Sequence, residues 1–155
     1  LPMSIADNLV TAAFDRITRS GVIDPARLEA VVQEGIARLQ IKVGSPKDPV
    51  RTLSGGNQQT VVIAKWPMTN PDIILMNDPT RGIDIGTKQE IFRMMRDLAD
   101  SGTSILFYSS DYAELIGCAD RVLVLYDGQV VRELEGAAIT EEAIVGASLN
   151  IGAAA

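Results

Sequence analysis

The chain has 155 residues, room for one ordinary core. Its 46% apolar and 22% charged residues are globular proportions, which exclude a disordered, collagenous or coiled-coil chain. Against 20 Asp and Glu stand 14 Lys and Arg; the net charge of −6 argues against general nucleic-acid or anionic-membrane binding. Histidine is absent, which removes His acid–base chemistry, His triads and His-ligated metals. With aromatics at 5%, a base-stacking platform is not expected either. The single Cys118 cannot form an internal disulfide and suits a reducing compartment. No apolar run approaches the roughly 20 residues of a membrane span, and no secretory leader opens the chain. The default location is cytosolic. Because the first residue is Leu1, either a chain cut from something longer or a trimmed leader is expected.

The first predicted helix covers 8–17, with Leu9, Val10, Ala13 and Phe14 on one side. A second covers 25–40. Asp24 caps it, Pro25 takes the first helical position, and Leu28, Val31, Val32, Ile36 and Leu39 form its stripe. A Gly/Pro loop over 44–49 follows. Next comes Leu53-Ser54-Gly55-Gly56-Asn57-Gln58-Gln59 ahead of a helix. Ser54 is a candidate N-cap. Two glycines and the first helical N–H groups suit a phosphate. Alone, the segment reads more often as a capped Ser/Gly loop.

Pro67 should end or kink that helix early. Trp66 is expected to pack in the core or between subdomains, with subunit contact as the alternative. The run Ile73-Ile74-Leu75-Met76 reads as a fully buried strand. It ends in Asn77-Asp78-Pro79-Thr80. A strand that ends in polar or acidic groups is how nucleotide hydrolases hold Mg²⁺ and orient water; a plain Pro turn is the alternative. A helix over 87–99 carries Ile91, Met94, Met95 and Leu98 and stops at Gly102. Strands over 104–108 and 122–125 flank a short helix over 111–117. Asp127-Gly128 signals a hairpin into 129–134. A short helix over 140–145, capped by Thr140, precedes a frayed tail over 152–155. Strand, helix, strand, helix, strand in this order predicts α/β with a parallel sheet and right-handed crossovers. Chemistry then gathers at the strand carboxyl ends.

The two motifs, about twenty residues apart, together resemble the nucleotide-binding domain of ABC transporters. More narrowly they resemble the second domain of the fused ATPases of bacterial sugar importers of the ribose, galactose and xylose type. Asn57-Gln58-Gln59 and Pro79-Thr80-Arg81-Gly82-Ile83-Asp84 are typical of that group. Ser4-Ile5-Ala6-Asp7-Asn8-Leu9 is similar to the opening of the family's helical subdomain. Asp120-Arg121-Val122-Leu123-Val124 with Asp127-Gly128 is similar to its last core strand and hairpin. The resemblance covers nearly the whole chain. It implies an α/β fold: a helical subdomain and the C-terminal half of a P-loop NTPase core with a mainly parallel sheet. The expected division is 1–68 for the helical subdomain and signature helix, 69–135 for the half core and 136–155 for the C-terminal helix and tail. No Gly-x-x-x-x-Gly-Lys-Ser/Thr occurs, so the P-loop is expected upstream of Leu1.

In that family two domains pair head to tail around two ATP molecules. The resemblance implies that Ser54, Gly55, Gly56, Asn57 and Gln58 meet a partner's nucleotide, and that Asp84 lies on the loop crossing the interface, with helix capping as a further role. It implies Asn77 where the family's Mg²⁺-site Asp belongs, Asp78 where the catalytic Glu belongs, and Ser110 where many members carry a switch His. Asn77 lacks the charge that Mg²⁺ prefers. Asp78 is one methylene short, and a misplacement of about 1 Å can cost about a hundredfold in rate. Ser110 cannot take up a proton at neutral pH. The domain's own site is therefore expected to hydrolyse poorly. The implied cofactors are ATP and Mg²⁺. The implied partners are a second ABC ATPase domain, membrane permease subunits and, indirectly, a periplasmic sugar-binding protein, with no nucleic acid. The implied place is cytoplasmic, peripheral on the inner face of the cell membrane. A regulatory, non-hydrolysing module is the main alternative. A non-transport ABC ATPase fits the motifs less well.

Overall fold

Ser4 starts the first helix, earlier than the apolar spacing suggests. Its hydroxyl accepts from the Asp7 N–H, and the Asp7 carboxylate accepts from the Ser4 N–H, a capping box that fixes the start. In the computed structural model, which describes residues 3–39 and 44–150, the expected helix over 8–17 is two short ones. They are α1 (Ile5–Val10) and α2 (Phe14–Ile17). The Thr11 hydroxyl bonds the Asp7 carbonyl at 2.5 Å, and the chain turns at Ala13. The break sends Leu9 into one core cluster and Ala13 and Ile17 into another, while Phe14, expected on the apolar side, is exposed.

A small hairpin follows that the apolar pattern does not announce. β1 (Thr18–Arg19) pairs antiparallel with β2 (Val22–Ile23) across Ser20-Gly21, both at positive φ. Asp24 then caps α3 (Pro25–Leu39) through the Ala26 and Arg27 N–H groups. Val31 and Val32 are buried as expected, while Gln40 lies outside the described residues. The loop before Val50 is stitched to the start of α1: Ile5 N–H donates to Asp48 O, Ala6 N–H to Pro46 O and Val50 N–H to Met3 O.

The Leu53–Gln59 segment opens α4 (Gly55–Ala64). Pro67 stops it as expected, and the chain goes into a single 3₁₀ turn over Pro67–Thr69. Arg16 donates to the Met68 carbonyl at 2.8 Å and to Glu34 at 2.6 Å, tying α2, α3 and this turn. Two clusters fill this part of the molecule. Ile5, Leu9, Val50, Val61 and Ala64 make one; Val10, Ala13, Ile17, Val31, Val32 and Met68 make the other. Trp66 belongs to neither. It is 53% exposed, with the Lys65 ammonium 5.0 Å from its ring centroid, which corrects the packed position expected for it.

β3 (Ile73–Asn77) and β4 (Ser104–Tyr108) are hydrogen-bonded neighbours joined through α5 (Ile85–Asp100), the expected strand–helix–strand crossover. Ile91, Met95 and Leu98 of α5 are buried, and Gly102 ends the connection at φ 101°. β3 is not buried on both faces. Ile74 is buried, whereas Ile73 and Leu75 are 64% and 73% exposed, because nothing among the described residues covers that face. This corrects the fully buried strand.

The chain divides into two compact units, Leu1–Phe107 and Tyr108–Ala155. In the second, α6 (Tyr112–Cys118) leads to β5 (Arg121–Tyr126), which pairs antiparallel with β6 (Gln129–Glu135) across Asp127-Gly128. Both turn residues have positive φ, as the sequence predicts, and the register slips between Val124 and Leu125. β5 was expected to continue the parallel sheet; among the described residues its strand partner is β6 alone. Thr140 caps α7 (Glu141–Ser148), whose Ile144 packs with Val122, Val124, Leu134 and Ile139. Cys118 is half-buried. The tail over 152–155 lies outside the described residues.

Leu9 is fully buried at the centre of the first cluster. Leu9→Ala should cost about 2–5 kcal/mol, read as a lowered urea midpoint at unchanged slope.

Candidate functional site

Ser54 caps α4 with its Oγ accepting from the Asn57 N–H at 3.3 Å. The Gln58 side chain turns back and donates to the Leu53 carbonyl at 2.9 Å, closing the loop on itself. That leaves the N–H groups of Gly55 and Gly56 at the positive end of α4 to an outside acceptor. The two glycines differ. A Cβ on the exposed Gly55 would meet nothing within 4 Å, whereas one on Gly56 would lie 2.7 Å from Thr87 Oγ1. The first turn of α4 therefore rests directly on the first turn of α5.

The second motif sits close by in the same unit. Asn77 ends β3 and is exposed; Asp78, half-buried, takes the left-handed region at φ 49°. Pro79 and Thr80 are buried, and the turn closes with Arg81 N–H donating to Asp78 O. Gln59 Nε2 donates to the Pro79 carbonyl at 3.4 Å, joining α4 to this turn. Asp84 caps α5: its Oδ1 accepts from the Thr87 N–H at 3.1 Å and its Oδ2 from the Thr87 hydroxyl at 2.9 Å. Those bonds, the backbone one first, hold its carboxyl below the usual carboxylate range against a smaller opposing effect of desolvation.

The structure thus brings Ser54, Gly55, Gly56, Asn57 and Gln58 into one loop, with the Asn77–Asp84 turn tied to the same helix. Ser110 lies in the second unit, exposed just after β4. Beside it is a pair that the motifs do not announce. The Ser109 hydroxyl donates to the buried Glu114 carboxylate at 2.5 Å and accepts from the Asp111 N–H at 3.1 Å. Asp111 in turn caps α6 through the Ala113 N–H. A serine placed before a capped helix, with a glutamate on that helix, is the signal that could have found the pair. Thr87 was missed as well; its signal is a Thr three residues after a capping Asp.

A nucleotide-bound Mg²⁺ is held by one or two carboxylates together with phosphate oxygens. The strand end offers one carboxylate, Asp78, beside a neutral amide. Among the described residues no three His, Cys, Asp or Glu side chains converge. The donors present do not fit a protein-held Mg²⁺.

No family model matches the chain. It is 60% identical over 152 residues to ribose import ATP-binding protein RbsA 1 of Rhizobium etli, covering 98% of this chain and 30% of that protein. It is 38% identical over 145 residues to a putative ribose/galactose/methyl galactoside import ATP-binding protein of Geobacillus kaustophilus, covering 94% of this chain and 29% of that one. The fold agrees with solved ATP-binding cassettes. A putative metal-chelate type ABC transporter in an inward-facing conformation superposes with TM-score 0.79 at 18% identity, over 97% of this chain and 60% of that one. The cassette MJ1267 superposes with TM-score 0.76 at 21% identity, over 94% and 62%. The chain is part of an ABC-type nucleotide-binding domain. It spans about 30% of the length of the curated relatives it matches. The ABC fold accounts for the α/β arrangement expected from the motifs: a helical part followed by part of a P-loop NTPase core, in a sequence that contains no P-loop. Among the described residues no helix is long and apolar enough to cross a membrane.

In this ABC domain Asp84 should titrate by NMR below the ordinary Asp value of about 3.9. A lowered carboxyl means that its contribution to stability is fully present above the unfolded value and lost as pH falls through the folded one. The α5 cap should therefore hold at neutral pH and fail only below about pH 4.

Proposed function

We propose that this chain is the part of a sugar-importer ATPase that supplies the signature loop to the ATP of a partner domain. The carrying observation is the open N-terminus of α4. Gly55 and Gly56 N–H groups have no acceptor within the helix, and Gly55 has free space on its Cβ side. The 60% identity to a ribose import ATP-binding protein supports the transport class. Ser54, Gly55 and Gly56 then contact the partner's γ-phosphate, with Asn57 and Gln58 shaping the loop and Asp84 beside it at the interface. Residues 1–68 form the helical subdomain, 69–135 the C-terminal half of the core and 136–155 its terminal helix and tail.

The domain's own nucleotide site is the weak one. Asn77 stands at the Mg²⁺ position, Asp78 at the water-orienting position and Ser110 at the switch position. A neutral amide at the position of a carboxylate leaves this site at the low end of the charge that a Mg²⁺–phosphate cluster uses. The same observation favours a second reading, a regulatory domain that does not hydrolyse its own ATP while completing the partner's site. In either case the assembly comprises a second ABC ATPase domain, permease subunits and, through them, a periplasmic sugar-binding protein. It sits on the cytoplasmic face of the membrane. ATP closing the pair and hydrolysis reopening it supplies the transport stroke.

Two measurements test this. In the full-length protein with its permease, Asn77→Asp with Asp78→Glu should leave ATP turnover within about twofold; a rise of about tenfold or more makes this domain's own site the limiting one. The 155-residue chain, which contains no P-loop, should show no micromolar ATP affinity by calorimetry. Clear micromolar binding contradicts the assignment.

A further inference from the structure

We infer that Thr87 is a positioning residue, the side chain that locks Asp84 to the first turn of α4 so that the two loops move as one body. The inference rests on the reading that Ser54–Gly56 and Asp84 face the partner's nucleotide, and adds how they are held together.

Thr87 sits in the first turn of α5 and is only 9% exposed. On one side it satisfies both oxygens of the Asp84 carboxylate, the N–H on Oδ1 and the hydroxyl on Oδ2. On the other side it fills the space that a Cβ at position 56 would need: Oγ1, Cγ2 and Cβ lie 2.7, 3.0 and 3.1 Å from that point. A β-branched side chain is stiff at χ1, so it cannot swing away without giving up its bond to Asp84. The two glycines thus answer different demands. Gly55 is open on its Cβ side, which suits an approaching phosphate. Gly56 is small because Thr87 is there. The Gln59 amide on Pro79 O is a second tie between α4 and the same turn. A shift of either loop is carried to the other through packed atoms.

The test uses the full-length ATPase assembled with its permease, reading kcat, KM for ATP and melting temperature. Thr87→Val keeps the shape and removes the hydroxyl. It should lower kcat about fivefold, with KM within about twofold and the melting temperature nearly unchanged. Thr87→Ser, which keeps the hydroxyl, should restore turnover to within about twofold. Gly56→Ala should lose about tenfold or more, and Gly56→Ala with Thr87→Ala should return to within about threefold of Thr87→Ala alone. Unchanged kcat in Thr87→Val overturns the inference, as does a Gly56→Ala/Thr87→Ala protein no better than Gly56→Ala. A kcat loss that follows a fall in melting temperature also overturns it. Gly55→Asp separates the two levels. If it keeps turnover, the signature reading itself falls. If it abolishes turnover while the Thr87 series changes nothing, only the role of Thr87 falls.

Discussion

The close approach of α4 to α5 at their first turns is the constraint on which the site depends. It brings Gly56 against Thr87. An alanine at Gly56 would force either the two helices apart or Thr87 off its bond to Asp84, since 2.7 Å is shorter than an ordinary carbon–oxygen contact. The placement of the Ser54 and Asp84 loops beside one another follows from that approach. Ser54 caps the helix on one side of the contact and Asp84 caps the helix on the other. Behind them, Val61, Ala64 and the partly buried Met94 carry the two helices into the cluster around Leu9.

Caps set the local geometry at each candidate position. Ser54, Asp84 and Asp111 each spend side-chain oxygens on the first N–H groups of a helix. Such bonds orient the loop before the helix as well as the helix itself. They also explain why a motif serine or aspartate resists a single label. Asp84 is a cap whether or not it reaches a partner, and its lowered titration follows chiefly from the Thr87 bonds. The functional reading adds an occupant outside the chain and takes nothing from the structural one.

The chemistry of the strand end is thin by comparison. The strand end offers a neutral amide at Asn77 and one carboxylate at Asp78. Asp78 adopts positive φ, which Asp tolerates better than most residues, and a closed turn with buried Thr80 follows it. The turn is well built even though its donor set is poor.

Much of this was legible in the chain itself. Local signals decided Ser54, Asp24 and Thr140 as caps, Pro67 as a stop and Asp127-Gly128 as a hairpin, because each depends on a few neighbouring residues. The motifs around Ser54 and Pro79 carried the ABC resemblance for the same reason: they are short and specific. Composition excluded histidine chemistry outright. Only the tertiary structure decided the rest. It split the expected helix over 8–17 where the chain turns at Ala13, which the apolar spacing does not mark. It left Trp66, Ile73 and Leu75 exposed, because burial depends on what lies opposite and hydrophobicity does not record that. It left β5 with β6 alone as strand partner among the described residues, where the strand order had suggested a place in the parallel sheet. And it distinguished Gly56 from Gly55. The two are identical as letters, and they differ only in which atoms stand where a Cβ would be.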